Sequence, residues 1–343
     1  MAINFSKLNY LQNLTADDIP ETYQKWVCEL EAPTIIDFTK EGNDTWRVVT
    51  TLLHGNEQSG FAALHDWIKQ ESYKDIAVNI RFIVCSVEAA QFEPMFSTRF
   101  LSGGRDINRC FGIKSLSDYY LRAELIASCI RQVKPEAVID LHNTSGKNPP
   151  FGVSCHSDKE HLALVQLFSN QVIVSHLKLG ALMELDFHCP IVTIECGGKN
   201  DLMANRVALE GIEQFCQLDN LFENELDKEM EVIYQPVRLK LKHNIELTFS
   251  EQMPTEGISI RRDIEDLNFG ITPAGTPLGW VDEYGLQNIE IEGEHANAMP
   301  EDYFEIKHNQ LVTSKDMRIF MATTKRKVAV HDCLFYLIKE QNF

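Results

Sequence analysis

From Trp46 to about residue 231 short β-branched runs alternate with longer amphipathic stretches, and this alternation restricts the fold more than any other feature. The runs cover residues 47–53, 80–87, 137–141, 171–175 and 191–194. Between them, near 60–70, 117–133, 158–170 and 201–218, apolar residues recur three and four apart, the spacing of a helix with one buried face. Strands joined by helices predict an α/β domain with a mixed, mostly parallel sheet flanked by helices, since parallel strands need crossovers that cover both faces. In such sheets functional side chains gather at the carboxyl ends of strands. An acidic stretch at 223–231, with Lys228 as its single cation, reads as a solvated helix end or linker. Beyond it come short alternating runs, 237–243 and 288–292, interrupted by Pro273, Gly275, Pro277, Gly279 and Gly285. That texture predicts a smaller β-rich C-terminal domain. The expected division is 1–231 and 232–343, with 328–338 either a returning strand or a helix.

Charge limits the partners. Fifty acidic against 32 basic residues leave a net charge of -18, which repels phosphate backbones and anionic lipid, so no nucleic acid and no membrane partner is expected. An anionic ligand would need a local cluster of arginines. The nine cysteines are scattered without a Cys-x-x-Cys pair, which fits neither a disulfide framework nor a thiolate metal site. The opening MAINFSKLNYLQNLTADD lacks a basic start followed by an apolar run, so no secretory signal is expected and a cytoplasmic location fits best.

Four segments carry chemistry. In Leu52-Leu-His54-Gly-Asn-Glu57-Gln-Ser-Gly60 an apolar strand stops and an imidazole and a carboxylate follow three apart. In Val138-Ile-Asp140-Leu-His142-Asn143 a second strand ends on a histidine, with Asp140 two residues earlier on the same face, where it could orient His142 or a neighbouring loop through a hydrogen bond. Parallel strands would bring His54 and His142 to one edge. Two histidines and a glutamate form a common ligand set for a catalytic zinc with one position left for water. Ile191-Val-Thr-Ile-Glu195-Cys-Gly-Gly198 delivers a carboxylate to the end of a buried strand, where a general base would sit. Residues 97–109 hold Arg99, Arg105 and Arg109 with Asn108, donors that match the oxygens of a carboxylate or a polarised carbonyl. Taken singly, the segments have plainer readings: an exposed loop pair, a satisfied strand-end histidine, a surface carboxylate and a solvated arginine loop.

Taken together, His54-x-x-Glu57, Arg105-Asp106-x-Asn108-Arg109, Asp140-x-His142-Asn143 and Ile194-Glu195-x-Gly197 resemble the succinylglutamate desuccinylase and aspartoacylase family, a branch of the zinc carboxypeptidase-like hydrolases. The resemblance runs from about Val48 to Gly198. It extends more weakly to Thr272-Pro-Ala-Gly275-Thr-Pro-Leu278, similar to a turn in the small barrel of the family's second domain.

The resemblance implies one Zn2+ per chain on His54, Glu57 and His142, Glu195 as base and proton shuttle, and Asn108 and Arg109 as a substrate-carboxylate clamp, with Asn143 among the substrate-binding residues. Arg99, or Arg105 in its place, would polarise the scissile carbonyl. The implied reaction is hydrolysis of the amide bond of a small N-acyl amino acid by metal-activated water. The rivals are a metallocarboxypeptidase acting on peptide C-termini and a non-catalytic metal-binding homologue. The expected partner is a small-molecule carboxylate substrate, and homo-oligomerisation stays open. Aspartoacylases carry a further arginine some ten residues before the catalytic glutamate; here no arginine lies between Arg131 and Arg206, with Lys178 and Lys199 the nearest substitutes. N-acetylaspartate and N-succinylglutamate are therefore not fixed as substrates. Tyr284 and Tyr303 are further candidates to lend a hydroxyl, as a tyrosine does in relatives.

Overall fold

Nine strands form one sheet: β1 (Asn9–Gln12), β2 (Thr34–Phe38), β3 (Trp46–Thr51), β4 (Asn79–Val84), β5 (Ala137–Thr144), β6 (Phe151–Ser154), β7 (Gln171–Val174), β8 (Ile191–Gly198) and β9 (Glu231–Tyr234). They lie in the order β1-β2-β4-β3-β5-β8-β6-β7-β9. The pairs β1/β2, β3/β4, β3/β5 and β6/β7 are parallel, whereas β2/β4 and β6/β8 are antiparallel, so the sheet is mixed and mostly parallel. This computed structural model describes residues 3–115, 117–199, 201–223, 226, 229–293 and 298–339. Of the acidic stretch at 223–231, residues 224, 225, 227 and 228 lie outside the described residues.

Helices α1 (Tyr23–Glu29), α2 (Ser59–Lys69), α3 (Val87–Ala90), α4 (Asp118–Val133), α5 (Lys159–Gln166) and α6 (Leu202–Gln217) connect these strands. Successive residues on a strand point to opposite faces, and here each face feeds its own core. Val49, Phe82 and Ile139 join Phe61 and Trp67 of α2 and Ile212 and Phe215 of α6. Val48, Ile83 and Val138 join Ile126 and Ile130 of α4 on the other side. Both faces are dry, which is why these strands are continuous β-branched runs. At the amino end of β3 the fully buried Arg47 donates to the Phe215 and Leu218 carbonyls at the end of α6, at 2.6 and 2.7 Å, and to Glu136 at 2.6 Å.

The carboxyl ends of β3 and β5 need special backbone. Buried Leu52 follows β3 with a φ of +54°, a left-handed conformation that costs a non-glycine residue about 1–2 kcal/mol. The amides of Cys85 and Ser86, donating to the Thr51 and Leu52 carbonyls at 3.0 and 2.7 Å, hold that turn. Gly60 lets the first turn of α2 descend onto both strands, since a Cβ there would lie 2.4 Å from Thr51 Oγ1 and 2.8 Å from Leu141 Cβ.

The chain divides into two compact units, the second made of Thr144–Pro149 and Ile233 onward. This second unit holds two five-stranded sheets. One contains β10 (Val237–Leu241), β13 (Ile271–Thr272), β15 (Ile289–Glu292), β18 (Met317–Phe320) and β19 (Phe335–Lys339); the other contains β11 (Leu247–Phe249), β12 (Ile258–Ile260), β14 (Pro277–Val281), β16 (Phe304–Lys307) and β17 (Gln310–Thr313). Its core includes Leu239, Ile258, Leu278, Leu311, Ile319 and Leu337. The stretch at 328–338 supplies both structures anticipated for it, a short helix α7 (Arg326–His331) and the strand β19. The hexapeptide Thr144–Pro149 is held within this unit: Glu265 accepts from the Lys147 and Thr324 amides at 3.0 and 2.7 Å, and Asn268 donates to the Lys147 carbonyl at 2.9 Å. Among the described residues no helix is long and apolar enough to cross a membrane.

Candidate metal centre

Register brings the first two motifs together. Parallel pairing sets Thr50 opposite Asp140 and Thr51 opposite Leu141, so the chain beyond β3 and the last residues of β5 emerge at the same edge. His54, Glu57 and His142 meet there, all buried, and one ligand atom from each lies within 4.8 Å of the others. Glu57 sits between the rings, with Oε2 at 2.6 Å from His142 Nδ1 and Oε1 at 2.9 Å from His54 Nδ1. The His142 contact is a hydrogen bond. His54 Nδ1 lacks the alignment for one and is a buried nitrogen with no hydrogen-bond partner among the described residues.

The other nitrogen of each ring is held by a carboxylate. His142 Nε2 lies 2.8 Å from Asp140 Oδ2, and His54 Nε2 lies 2.9 Å from Asp106 Oδ1. Such pairs fix the ring and the tautomer, so that Nδ1 of each histidine is the nitrogen turned to Glu57. Burial would lower the His142 imidazolium, but Asp140 and Glu57 on either side raise its pKa well above the ordinary value. Burial would likewise raise Glu57, and the two imidazoles instead hold it well below the carboxylate range. The donor set fits zinc: two imidazoles and one carboxylate, each imidazole backed by a second carboxylate.

Glu195 is buried at 8% exposure near the end of β8, and its Oε2 has no hydrogen-bond partner among the described residues. Burial, and then repulsion from Glu57, push its pKa up to about 7. A carboxyl balanced near neutrality is equipped to accept and return a proton.

The arginine segment divides. Arg99 donates through Nη1 to Glu57 Oε1 and through Nε to Asp106 Oδ2, each at 3.0 Å, and its carbonyl accepts from the Gly55 amide at 2.9 Å. Arg105, the alternative read from the sequence, is exposed, and its guanidinium lies over the Tyr120 ring at 5.3 Å. Asp106, unassigned by the sequence reading, joins three parts of the site: His54, Arg99 and the Asn108 amide, the last at 2.8 Å. Burial opposes its charge, but His54 and Arg99 hold it well below the usual range. Its position inside Arg-Asp-x-Asn-Arg was the available signal.

Asn108 and Arg109 lie on a short 3-10 turn, where Asn108 Oδ1 accepts from the Leu182 amide at 2.9 Å and Arg109 Nη1 donates to the Asn108 carbonyl at 2.8 Å. Glu184 shapes the segment around Leu182 by accepting from the Leu179, Gly180 and Ala181 amides at 2.7, 3.2 and 3.1 Å.

Asn143, read as substrate-binding, has both ends of its amide engaged inside the protein. Its Oδ1 accepts from the Ser59 amide at 3.0 Å, and its Nδ2 donates to Ser59 Oγ at 2.9 Å and to the Gly197 carbonyl at 3.2 Å. At 2% exposure it ties β5 to the first turn of α2 and the end of β8. Lys178 is exposed and Lys199 half-buried. In the second unit Tyr303 is buried in the core, with Lys339 Nζ 4.2 Å above its ring, and Tyr284 is 57% exposed.

Residues 48–215 match the sequence profile of the succinylglutamate desuccinylase/aspartoacylase catalytic domain. Among solved structures, succinylglutamate desuccinylase from Vibrio parahaemolyticus is 13% identical with a TM-score of 0.59, over 94% of this chain and 96% of that one. The succinylglutamate desuccinylase/aspartoacylase from Rhodobacter sphaeroides is 14% identical with a TM-score of 0.56, over 88% and 87%. Murine aminoacylase 3 is 15% identical with a TM-score of 0.53, over 88% and 98%. At these identities the likeness establishes a shared fold. No curated protein matches the sequence.

Proposed function

We propose, for a chain whose residues 48–215 match the succinylglutamate desuccinylase/aspartoacylase catalytic-domain family, that it is a deacylase hydrolysing the amide bond of a small N-acyl amino acid at a zinc held by His54, Glu57 and His142. The observation that carries this reading is the meeting of His54 Nδ1 and His142 Nδ1 at one buried carboxylate, with the Glu195 carboxyl, whose Oε2 has no hydrogen-bond partner among the described residues, close enough to be raised by Glu57. Zinc held there supplies a Lewis acid for the carbonyl and lowers the pKa of water towards about 7.

The chain's own groups do the rest. Asn108, with Oδ1 committed to Leu182, offers its amide donors to the substrate carboxylate, and Arg109 offers its guanidinium beside it. This fixes the amide relative to the base, a contribution of proximity rather than of charge. Glu195 accepts the proton of the attacking water and returns it to the leaving amine. Arg99 donates to the oxygen on which charge develops, worth about 3 kcal/mol for a well-placed donor. Asn143 acts through Ser59 and Gly197, holding the end of β5 to the first turn of α2 and to the end of β8.

A panel of N-acetyl, N-succinyl and N-formyl amino acids run beside short peptides, scored for released amine, tests this reading. Release from small acylated amino acids is the expected result. Release confined to peptides would replace the deacylase with a carboxypeptidase, and release from neither, with zinc bound, would leave a metal-binding protein without this activity.

A further inference from the structure

We propose that Thr50 is a positioning residue for the ligand His142, acting through Asp140; the proposal rests on the metal-centre reading above. Thr50 and Asp140 are directly opposed in the parallel β3/β5 pair, with their side chains on one face. Thr50 Oγ1 donates to Asp140 Oδ1 at 2.6 Å, and Asp140 Oδ2 holds His142 Nε2 at 2.8 Å. Thr50 and Asp140 are 0% exposed and His142 is 3% exposed, so water does not replace a missing partner easily.

The need for the hydroxyl follows from torsional freedom. The final torsion of an aspartate is broad, so one hydrogen bond to His142 does not fix its carboxylate plane. A donor on the other oxygen does, and a β-branched side chain on a buried strand is a stiff place to mount it. The second ligand histidine has an equivalent brace: its carboxylate, Asp106, is held by Arg99 and by the Asn108 amide. Each ring therefore leans on an anchored carboxylate, by charged and backbone donors at His54 and by one neutral hydroxyl at His142. Loss of that hydroxyl would let Asp140 rotate and the His142 ring follow, with no change in the ligand set.

The test is zinc affinity of the 343-residue chain by chelator competition, with thermal unfolding of the metal-free proteins measured in parallel. Thr50→Val keeps shape and strand preference, and is expected to weaken zinc binding about tenfold and speed its loss, since outer-shell partners contribute on that scale. Thr50→Ser restores the hydroxyl and should return affinity close to that of the parent. Equal affinity of Thr50→Val and parent would overturn the role of Thr50 while leaving the metal centre intact, and a Thr50→Ser variant as weak as Thr50→Val would assign the effect to packing. A parent protein that takes up no zinc overturns the metal centre itself, and the role of Thr50 with it.

Discussion

The rings of His54 and His142 meet edge to face with centroids 4.9 Å apart, and each turns Nδ1 to the carboxylate of Glu57. Two strands 90 residues apart in sequence at their Thr50–Asp140 contact thus deliver two imidazoles to one acid, each braced from behind by another. Such an arrangement concentrates negative charge in a dry place, and a cation relieves it.

Replacing Glu195 by Gln removes the proposed base without touching a ligand. Zinc content is expected to stay at the parent level while turnover falls about 100-fold to 10,000-fold, the usual span for a lost general base. Metal analysis and a single-substrate assay on the same preparation check it; unimpaired turnover excludes Glu195.

The same variant makes a pH prediction for the metal-free protein. Glu195 has a folded-state pKa of about 7, above the ordinary value of 4.5, so between these values the folded state binds more protons than the unfolded state and stability falls as pH rises. Glutamine has no such dependence. From pH 5 to pH 8 the stability of Glu195→Gln relative to the parent should therefore rise, by about 2–3 kcal/mol. Denaturant unfolding at the two pH values measures the difference; a constant gap contradicts the raised pKa.

Arg99 and Arg105 are separated by one comparison. Arg99→Ala should lower kcat about 100-fold to 1,000-fold, as loss of one oxyanion donor does. Arg105→Ala, removing an exposed side chain that lies over Tyr120, should leave kcat within about twofold, in keeping with surface substitutions. Reversed sizes would exchange the two roles.

Arg109 and Asn143 should differ in kind. Arg109→Ala is expected to raise KM more for carboxylate substrates than for their methyl esters, through loss of a charge-assisted pair. Asn143→Ala strands the Ser59 amide and the Gly197 carbonyl, and should destabilise the fold by about 1–3 kcal/mol while affecting acids and esters alike. An Asn143 effect confined to carboxylate substrates would make it a substrate contact.

The sheet was legible where burial on both faces imposed an uninterrupted pattern, as in β3, β5 and β8. It was illegible at β1, whose four residues alternate between half-buried and exposed, and at β6, four residues long with Gly152 inside. Within the site, strand ends pointed to His54, Glu57 and His142, because side-chain type and strand direction suffice there. Sequence could not separate Arg99 from Arg105, a matter of where two long side chains come to rest. Nor could it reveal that Asn143 spends its amide on Ser59 and Gly197, or that Thr50 faces Asp140, since both depend on register between distant strands. The left-handed Leu52 was equally hidden, because nothing in a leucine announces that conformation.

The most direct test of the account is the zinc content of the purified chain and of its His54→Ala and His142→Ala variants, each confirmed folded by circular dichroism. The account predicts about one zinc per parent chain, as a site with this ligand set holds, and none in either variant. Stoichiometric zinc retained by both folded variants would contradict it.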